Sequence, residues 1–473
     1  MTVKALKLAA ATLAMSCAAN AATVERVIAR QQWPWSTDVK VEYRLSGVTE
    51  ATDLVVEAFN GGEPLPSAAL AAAMRGVTHG ITKDGDGSFV IDPVKAFGTA
   101  EMSLANFKVR LTPQASAANV GEVLYKIYDL KTGECQDVTR AMLLNGDMGE
   151  ISQDYSALGQ SFGAAAGEFS TPLEDVLVWT GVTNGVKYRT SHLVMRKIPA
   201  NGASYLMGAN AVQSLSKDNQ VAHMVSFTND YYMSVFELTE GQFLTLVTNS
   251  SYSIASTMNY TNATDRYLRP YYASVMTDVA PHIGNWPEDG HFLSEVLANE
   301  KSVLKILRRL TSDDGFDLPT DAVWEYACRA GSTNDLYIGK NYSTARLNMI
   351  ARWKNNNPLS SNPDYNCTAA EGGTAIVGSY APNAWGLYDM YGNLSEFCLD
   401  RYIANLSAYS GADPWGPNKD EASQVYYYRV SRGGSCTTDQ NYGQHSSYRT
   451  YANSYSNQHK GTGGVRLCLT VYQ

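Results

Sequence analysis

The chain is 473 residues long, and its 37 Lys and Arg residues against 46 Asp and Glu residues give a formal net charge of −9. This length predicts about two to four domains, each able to bury its own core. The acidic balance without a basic block argues against a nucleic-acid partner. The 30 Tyr residues greatly outnumber the 12 Phe residues, which indicates a surface that is both apolar and hydrogen-bonding.

The first residues have the pattern of a bacterial-type signal peptide. Lys4 and Lys7 precede the apolar run from Leu8 to Ala14, which is too short to span a bilayer. The small residues Ala19 and Ala21 then predict cleavage of residues 1–21. No later stretch is apolar enough for a transmembrane helix, so we expect a secreted, periplasmic or cell-surface protein.

Six cysteines remain after this cleavage. An even number in an exported protein permits disulfide bonds, with 15 pairings if all six are used. Within the signal peptide, Cys17 leaves lipidation as an alternative, although Ala14 stands where a lipoprotein site has leucine. The six mature cysteines are Cys135, Cys328, Cys367, Cys398, Cys436 and Cys468.

An all-β, sandwich-like domain is predicted for residues 23–114. From Val39 to Leu45, apolar and charged residues alternate with the two-residue period of a half-buried strand. Further strand candidates follow at turn-separated intervals, which is typical of a small sandwich. They are Leu54–Phe59, Ser88–Asp92 and Phe107–Leu111.

Residues 120–198 are predicted to be a β-rich connecting segment, and a large C-terminal domain is predicted for 199–473. Two helix starts are readable in that domain. Thr239 and Gln242 have the spacing of a capping box, and Thr320 is placed to cap a second helix.

The C-terminal domain resembles the formylglycine-generating enzyme, or sulfatase-modifying factor, family. The resemblance implies an irregular α/β fold related to C-type lectins. The residues that carry it occur in family order at family-like spacing. They are Tyr205–Gly208, Tyr231–Ser234, Glu237–Phe243, Leu318–Ala327, Trp385–Phe397, Arg432–Ser435 and Gly464–Leu467.

The resemblance also implies a chemistry, because active members oxidise a sulfatase cysteine with oxygen by means of two copper(I)-binding cysteines. Copper(I) prefers soft thiolate ligands. In this chain the two positions are Thr438 and Gly443, so we expect no copper site. Cys436 lies two residues before the first position and leaves a rearranged site open, and with it an oxidoreductase acting on a sulfatase cysteine or another substrate.

A calcium site of the family has counterparts here. The resemblance implies a side-chain oxygen from Asp389, backbone carbonyls from Gly392 and Leu394, and the carboxylate of Glu396. Calcium prefers such oxygen ligands. The alternative is that Asp389 and Glu396 only cap a turn.

The segment from Cys436 to Lys460 has the composition of a binding surface. Its 25 residues include four tyrosines and no Val, Leu, Ile, Phe, Met or Trp, while Ser, Thr, Asn, Gln and His are frequent. We therefore expect an exported, non-catalytic protein that binds a protein or glycan ligand, either secreted or associated with the cell envelope. The predicted contact residues are Tyr442, His445, Tyr448, Arg449, Tyr451 and Tyr455. A structural loop is the alternative.

Overall fold

The computed structural model describes two compact units, which are treated separately. One lies within residues 1–123 and 139–154, and the other within 124–138 and 155–473. The predicted signal peptide, residues 1–21, lies outside the described residues. The structure describes 22–31, 38–49, 51–76, 78, 80–81, 83–98, 104, 106–116, 121–144, 146–149, 177–209, 221–249, 265–271, 303–338, 343–357, 373–403, 410–414, 416, 428–438, 444–453 and 463–470.

The first unit contains two sheets. One has the strand order β1-β2-β6-β5 and the other the order β4-β3-β7. The strands are β1 (Thr23–Gln31), β2 (Val39–Ser46), β3 (Thr52–Asn60), β4 (Glu63–Pro64), β5 (Met74–Gly76), β6 (Gly85–Ile91) and β7 (Phe107–Ala115). The helices are α1 (Ser67–Ala73), α2 (Pro93–Phe97) and α3 (Arg140–Leu144).

Side chains from both sheets share one hydrophobic cluster. Val41 and Leu45 on β2 are buried, as the alternation of β2 predicts, and so is Phe89 on β6. Leu54 and Val109, on strands of the other sheet, belong to the same cluster. Apolar side chains with a two-residue period thus all reach one core.

A six-stranded sheet runs through the second unit, in the order β14-β22-β13-β10-β8-β9. Three of these strands come from the segment 120–198, so that segment hydrogen-bonds directly into the sheet. For example, His192 of β10 pairs with Asp129 of β8, and Ile198 pairs with Tyr231 of β13. The strands are β8 (Val123–Asp129), β9 (Cys135–Thr139), β10 (His192–Ile198), β13 (Tyr231–Ser234), β14 (Phe316–Asp317) and β22 (Cys468–Thr470).

Smaller sheets make up the rest of the strand content. Their orders are β11-β12-β18, β15-β16 and β20-β19-β17-β21. They are built from β11 (Ser204–Met207), β12 (His223–Ser226), β15 (Ala351–Arg352), β16 (Tyr391–Gly392), β17 (Ser395–Arg401), β18 (Gly411–Ala412), β19 (Tyr428–Arg432), β20 (Thr450–Asn453) and β21 (Gly463–Gly464). Trp324, Trp353 and Trp385 are buried in one hydrophobic cluster of this unit.

The helices of the second unit are short. They are α4 (Glu240–Asn249), α5 (Val303–Thr311), α6 (Asp321–Arg329) and α7 (Thr344–Ile350), with 3-10 turns at Thr180–Thr183, Val186–Arg189, Arg266–Leu268 and Lys354–Asn356. Both predicted caps are present. Thr239 and Gln242 exchange reciprocal hydrogen bonds of 3.0 Å, and the Thr320 hydroxyl accepts from Val323 N. No helix in the described part of the chain is both long and apolar enough to cross a membrane.

Candidate functional site

Asp321, in the first turn of α6, is a buried carboxylate that binds two guanidinium groups. Arg432 on β19 donates to its Oδ1, and Arg449 Nε donates to its Oδ2 at 2.7 Å. Arg432 also donates to Glu325 Oε2, one turn further along α6, at 2.9 Å. Although burial alone would raise it, Arg432 and Arg449 hold the pKa of Asp321 below its usual range.

This ion network fixes the segment that follows β19. Arg432 Nη1 donates to the backbone carbonyls of Ser446 and Tyr448, at 3.1 and 3.0 Å. Arg449 Nη1 donates to Ile403 O at 3.0 Å. Residues 446–449 are therefore held against the core by buried charge-assisted hydrogen bonds.

A second buried ion pair occupies Glu396, one of the predicted calcium ligands. Arg466 Nη2 donates to Glu396 Oε1 at 2.7 Å, and Arg466 Nε lies 3.0 Å from both carboxylate oxygens. Trp324 Nε1 donates to Oε2 at 2.5 Å. Both oxygens of Glu396 thus have a donor, and its charge is compensated by Arg466.

Asp389 differs from Glu396 because one of its carboxylate oxygens accepts no hydrogen bond. Its Oδ2 accepts from Gly378 N at 2.7 Å, while its Oδ1 is buried and has no hydrogen-bond partner. Burial raises the pKa of Asp389 to about 6. Burial also raises the pKa of Glu237 well above its usual range, and the charges of Asp389 and Glu396 add to this effect.

The backbone N–H groups of the predicted calcium turn have structural partners of their own. Gly392 N donates to Gly433 O at 2.8 Å, and Leu394 N donates to Glu237 Oε1 at 3.0 Å. Gly392 has a φ of +74°, and a Cβ there would lie 2.1 Å from Arg352 O, so only glycine fits.

Asp389 and Glu396, the two predicted side-chain ligands, have different surroundings. Asp389 Oδ1 is suited to a cation, whereas Glu396 is engaged by Arg466. Within the described ranges, no group of three or more His, Cys, Asp or Glu residues is arranged to hold a metal ion. Calcium therefore stays a prediction from the resemblance, and no function below depends on it.

Neither of the two copper positions carries a cysteine. Thr438 Oγ1 accepts from Ser435 N at 2.9 Å and closes a turn, while Gly443 lies outside the described residues. Cys436 is disulfide-bonded. Cys398 and Cys468 are free but buried, and burial raises the pKa of both thiols, which keeps them neutral.

Cys135 and Cys328 are also free thiols, so at least four of the six mature cysteines stand outside any disulfide bond. The arrangement in which all six cysteines pair is therefore wrong. Cys328, for example, packs among core residues of α6 as a neutral thiol, because burial raises its pKa to about 12.

The structure places four of the six predicted ligand contacts. His445 and Arg449 are buried, Tyr448 is half-buried, and Tyr451 is 44% exposed. Tyr442 and Tyr455 lie outside the described residues. His445 and Arg449 face the interior because Ser447 Oγ lies 3.1 Å from His445 Nδ1 and Arg449 is paired with Asp321.

Tyr451 instead lies in an aromatic group with two tyrosines from other segments. Its ring centroid is 4.5 Å from that of Tyr428 and 5.2 Å from that of Tyr402. Tyr402 N donates to Tyr428 O at 3.0 Å, and the Arg449 guanidinium lies 5.3 Å from the Tyr402 ring. We call Tyr402, Tyr428 and Tyr451 the tyrosine platform.

Two members of this platform are absent from the contacts predicted by sequence. Tyr428 ends the run Tyr426–Tyr428 before the family block at Arg432, and that run was an available signal. Tyr402 follows β17, and no local sequence pattern indicates that it belongs to the platform. It reaches the platform only because β17 and β19 are neighbours in one sheet.

Comparison with known proteins agrees with the family resemblance that the sequence motifs of the second unit indicate. A formylglycine-generating enzyme of Mus musculus is 33% identical over 131 residues, which are 27% of this chain and 32% of the relative. One of Streptomyces coelicolor is 36% identical over 155 residues, or 32% of this chain and 45% of the relative. This chain therefore spans less than half the length of either relative.

Among solved structures, PvdO from Pseudomonas aeruginosa matches with a TM-score of 0.40 and 19% sequence identity, over 59% of this chain and 94% of that chain. The family model described as the sulfatase-modifying factor enzyme 1-like domain matches residues 189–471, which is more than half of the chain. The chain belongs to the sulfatase-modifying factor, or formylglycine-generating enzyme-like, family.

Proposed function

We propose that this chain is an exported, non-catalytic binding protein that captures a protein or glycan ligand through the tyrosine platform. The observation that carries the proposal is the exposed ring of Tyr451, packed against Tyr402 and Tyr428. Rigid amphipathic rings supply contact area at a low entropic cost, which is what a binding surface needs. The Asp321 network supports the strand that carries Tyr451.

Export is part of the proposal. The charged and apolar pattern of residues 1–21 supports it, and so does the disulfide bond of Cys436, since disulfides persist in oxidising compartments. The first unit would serve as a β-sandwich-like module of the envelope or surface protein. Its support is the single hydrophobic cluster shared by the two sheets.

The alternative is an oxidoreductase that retains the chemistry of the family. It is favoured by membership of the family alone, whereas Thr438 and the disulfide-bonded Cys436 favour a non-catalytic protein.

An oxygen-consumption assay with copper(I) and a cysteine-containing sulfatase peptide separates the oxidoreductase from the non-catalytic protein. The formylglycine-generating enzyme of Streptomyces coelicolor provides the matched active control. We expect no copper-dependent turnover by this chain, and measurable turnover would overturn the non-catalytic proposal.

The binding half of the proposal is tested with two tyrosine variants. Tyr451→Ala should lose capture of the ligand, while Tyr267→Ala should retain it. Tyr267 is 46% exposed but is not a member of the platform, so it controls for loss of an exposed tyrosine as such. Equal capture by both variants would refute the platform as the binding site, provided that circular dichroism shows both to be folded.

A further inference from the structure

We propose that the ligand of the tyrosine platform is a neutral glycan, and that a pyranose ring stacks on Tyr451. This inference rests on the proposed binding function and names its ligand class. A pyranose ring has a face of C–H groups surrounded by a rim of hydroxyl groups. An exposed tyrosine in a polar neighbourhood offers the matching chemistry, with an apolar ring face beside hydrogen-bonding groups.

The geometry of the platform leaves Tyr451 available. Its ring is inclined by 39° to Tyr428 and by 54° to Tyr402, so the three rings do not form a closed parallel stack. They contact one another while 44% of Tyr451 stays exposed. The platform thus presents the Tyr451 ring to solvent, on two rings that are half-buried.

The platform is also held in place before any ligand arrives. The Tyr402 ring contacts both the Tyr451 ring and the guanidinium of Arg449, at 5.2 and 5.3 Å from its centroid. Arg449 is fixed in turn by the buried carboxylate of Asp321. A surface that is already ordered loses little conformational entropy on binding, which favours weakly apolar ligands such as sugars.

The composition of the segment that carries Tyr451 favours a glycan over a protein. A protein partner is usually anchored by large apolar or aromatic side chains in well-packed pockets. In sequence, the 25 residues from Cys436 to Lys460 contain no Val, Leu, Ile, Phe, Met or Trp, whereas hydroxyl and amide side chains are abundant. These groups pair well with sugar hydroxyls.

Charge favours a neutral glycan over an acidic one. The chain carries a formal net charge of −9, which repels polyanions at long range. Close to the platform, the positive charge of Arg449 is paired with Asp321. A polyanion would therefore find little compensation at this surface.

The test uses the full mature chain in affinity electrophoresis and calorimetry. The probes are soluble β-glucan, mannan, galactan and chitin oligosaccharides, with polygalacturonate as the acidic comparison. We expect at least one neutral glycan to bind with a Kd below about 1 mM. Tyr451→Ala should weaken that binding at least tenfold, which corresponds to about 1.4 kcal/mol. Tyr451→Phe should stay within about threefold because the stacking face remains, and Tyr267→Ala should bind as the unmodified protein does.

Three results would overturn the glycan inference: no binding to any neutral glycan at millimolar concentration, binding that Tyr451→Ala leaves unchanged, or a preference for polygalacturonate. If a purified protein ligand binds in a Tyr451-dependent way and no glycan does, the glycan inference fails while the proposed binding function stands. Copper-dependent turnover of a sulfatase peptide would instead remove the non-catalytic proposal itself.

Discussion

Asp321, Glu325, Arg329, Arg432 and Arg449 form a buried group of three positive and two negative charges. Each pairing is a direct hydrogen bond, and all five side chains are almost completely removed from water. Removing a single partner from such a group leaves an uncompensated charge in a medium of low polarity, which is costly. At the residue scale, the fold therefore depends on keeping this group of charges complete.

Replacing Asp321 with Asn should destabilise the second unit strongly. The change leaves Arg449 and part of Arg432 without a counter-charge, and we expect a loss of about 3–5 kcal/mol in the free energy of unfolding. The matched control is Asp137→Asn, because Asp137 pairs with Lys126 at the surface and is 48% exposed. That variant should lose less than about 1 kcal/mol. Urea unfolding followed by tryptophan fluorescence measures both, and similar losses would refute a special role for Asp321.

The stability of the protein should fall as the pH rises from 5 to 8. Burial and the charge of Asp321 raise the pKa of Asp400 to about 7, and burial raises that of Asp317 to about 6. Since unfolded aspartate titrates near about 3.9, the folded state binds more protons between these values, and its stability declines as they are released. Asp389 and Glu237, whose pKa values burial also raises, act in the same direction, whereas His192 opposes them in part because burial lowers its pKa. We expect a net loss on the order of 2 kcal/mol across this range.

Unfolding in urea at pH 5, 6, 7 and 8 checks this expectation. Asp400→Asn is the informative variant. Its free energy of unfolding should change less with pH than that of the unmodified protein, whatever its absolute stability. Asp400 accepts hydrogen bonds from Asp321 N and Gly416 N, so the variant is expected to be less stable overall, and the slope is the readout. Parallel profiles would show that Asp400 does not titrate in this window.

At the scale of elements, local signals predict helix starts and strand alternation well. The capping residues Thr239 and Thr320 and the inward positions of β2 all follow from contacts within a few residues. Sheet membership does not follow in the same way. β10 pairs with β13 of the large domain and with β8, which lies far earlier in the chain, and no local pattern in residues 120–198 contains that information.

The candidate site shows the same division between local and non-local information. The polar composition of the segment after Ser435 indicated a surface, yet His445 and Arg449 turn inward. Composition cannot distinguish a polar side chain that meets solvent from one paired with a buried partner, such as Arg449 with Asp321. Tyr402 joins the site only through the adjacency of β17 and β19.

Loss of the Thr320 cap tests the contribution of α6. Its hydroxyl accepts from Val323 N at 3.2 Å, so Thr320→Ala should cost about 1 kcal/mol in the free energy of unfolding. Thr320→Ser keeps the hydroxyl and should stay within about 0.5 kcal/mol of the unmodified protein. Urea unfolding of the two variants in parallel provides the measurement. Equal losses would mean that the methyl group of Thr320, and not its cap, stabilises this position.

At the scale of the whole molecule, the two units are built on different principles. The first has an apolar cluster formed by alternating strands, whereas the second combines an aromatic core with buried ion pairs. In the second unit, the strands are short and loops are frequent, so many backbone carbonyl and N–H groups form hydrogen bonds with side chains. Arg466 illustrates this, since it donates to the carbonyls of Ser234, Val235 and Tyr388 as well as to Glu396.

The calcium prediction is testable at Asp389. A cation held at a Kd one hundred times below its free concentration would add about 2.7 kcal/mol to stability and raise the Tm by several degrees. Because Asp389 Oδ1 is buried with no hydrogen-bond partner, we expect 2 mM calcium, compared with a chelator, to raise the Tm in this way. Differential scanning calorimetry on the full chain makes the comparison, and Asp389→Asn should remove the rise. If calcium leaves the Tm unchanged, or if Asp389→Asn keeps the rise, the ligand set inferred from the sequence is wrong, and the pairing of Glu396 with Arg466 has only a structural role.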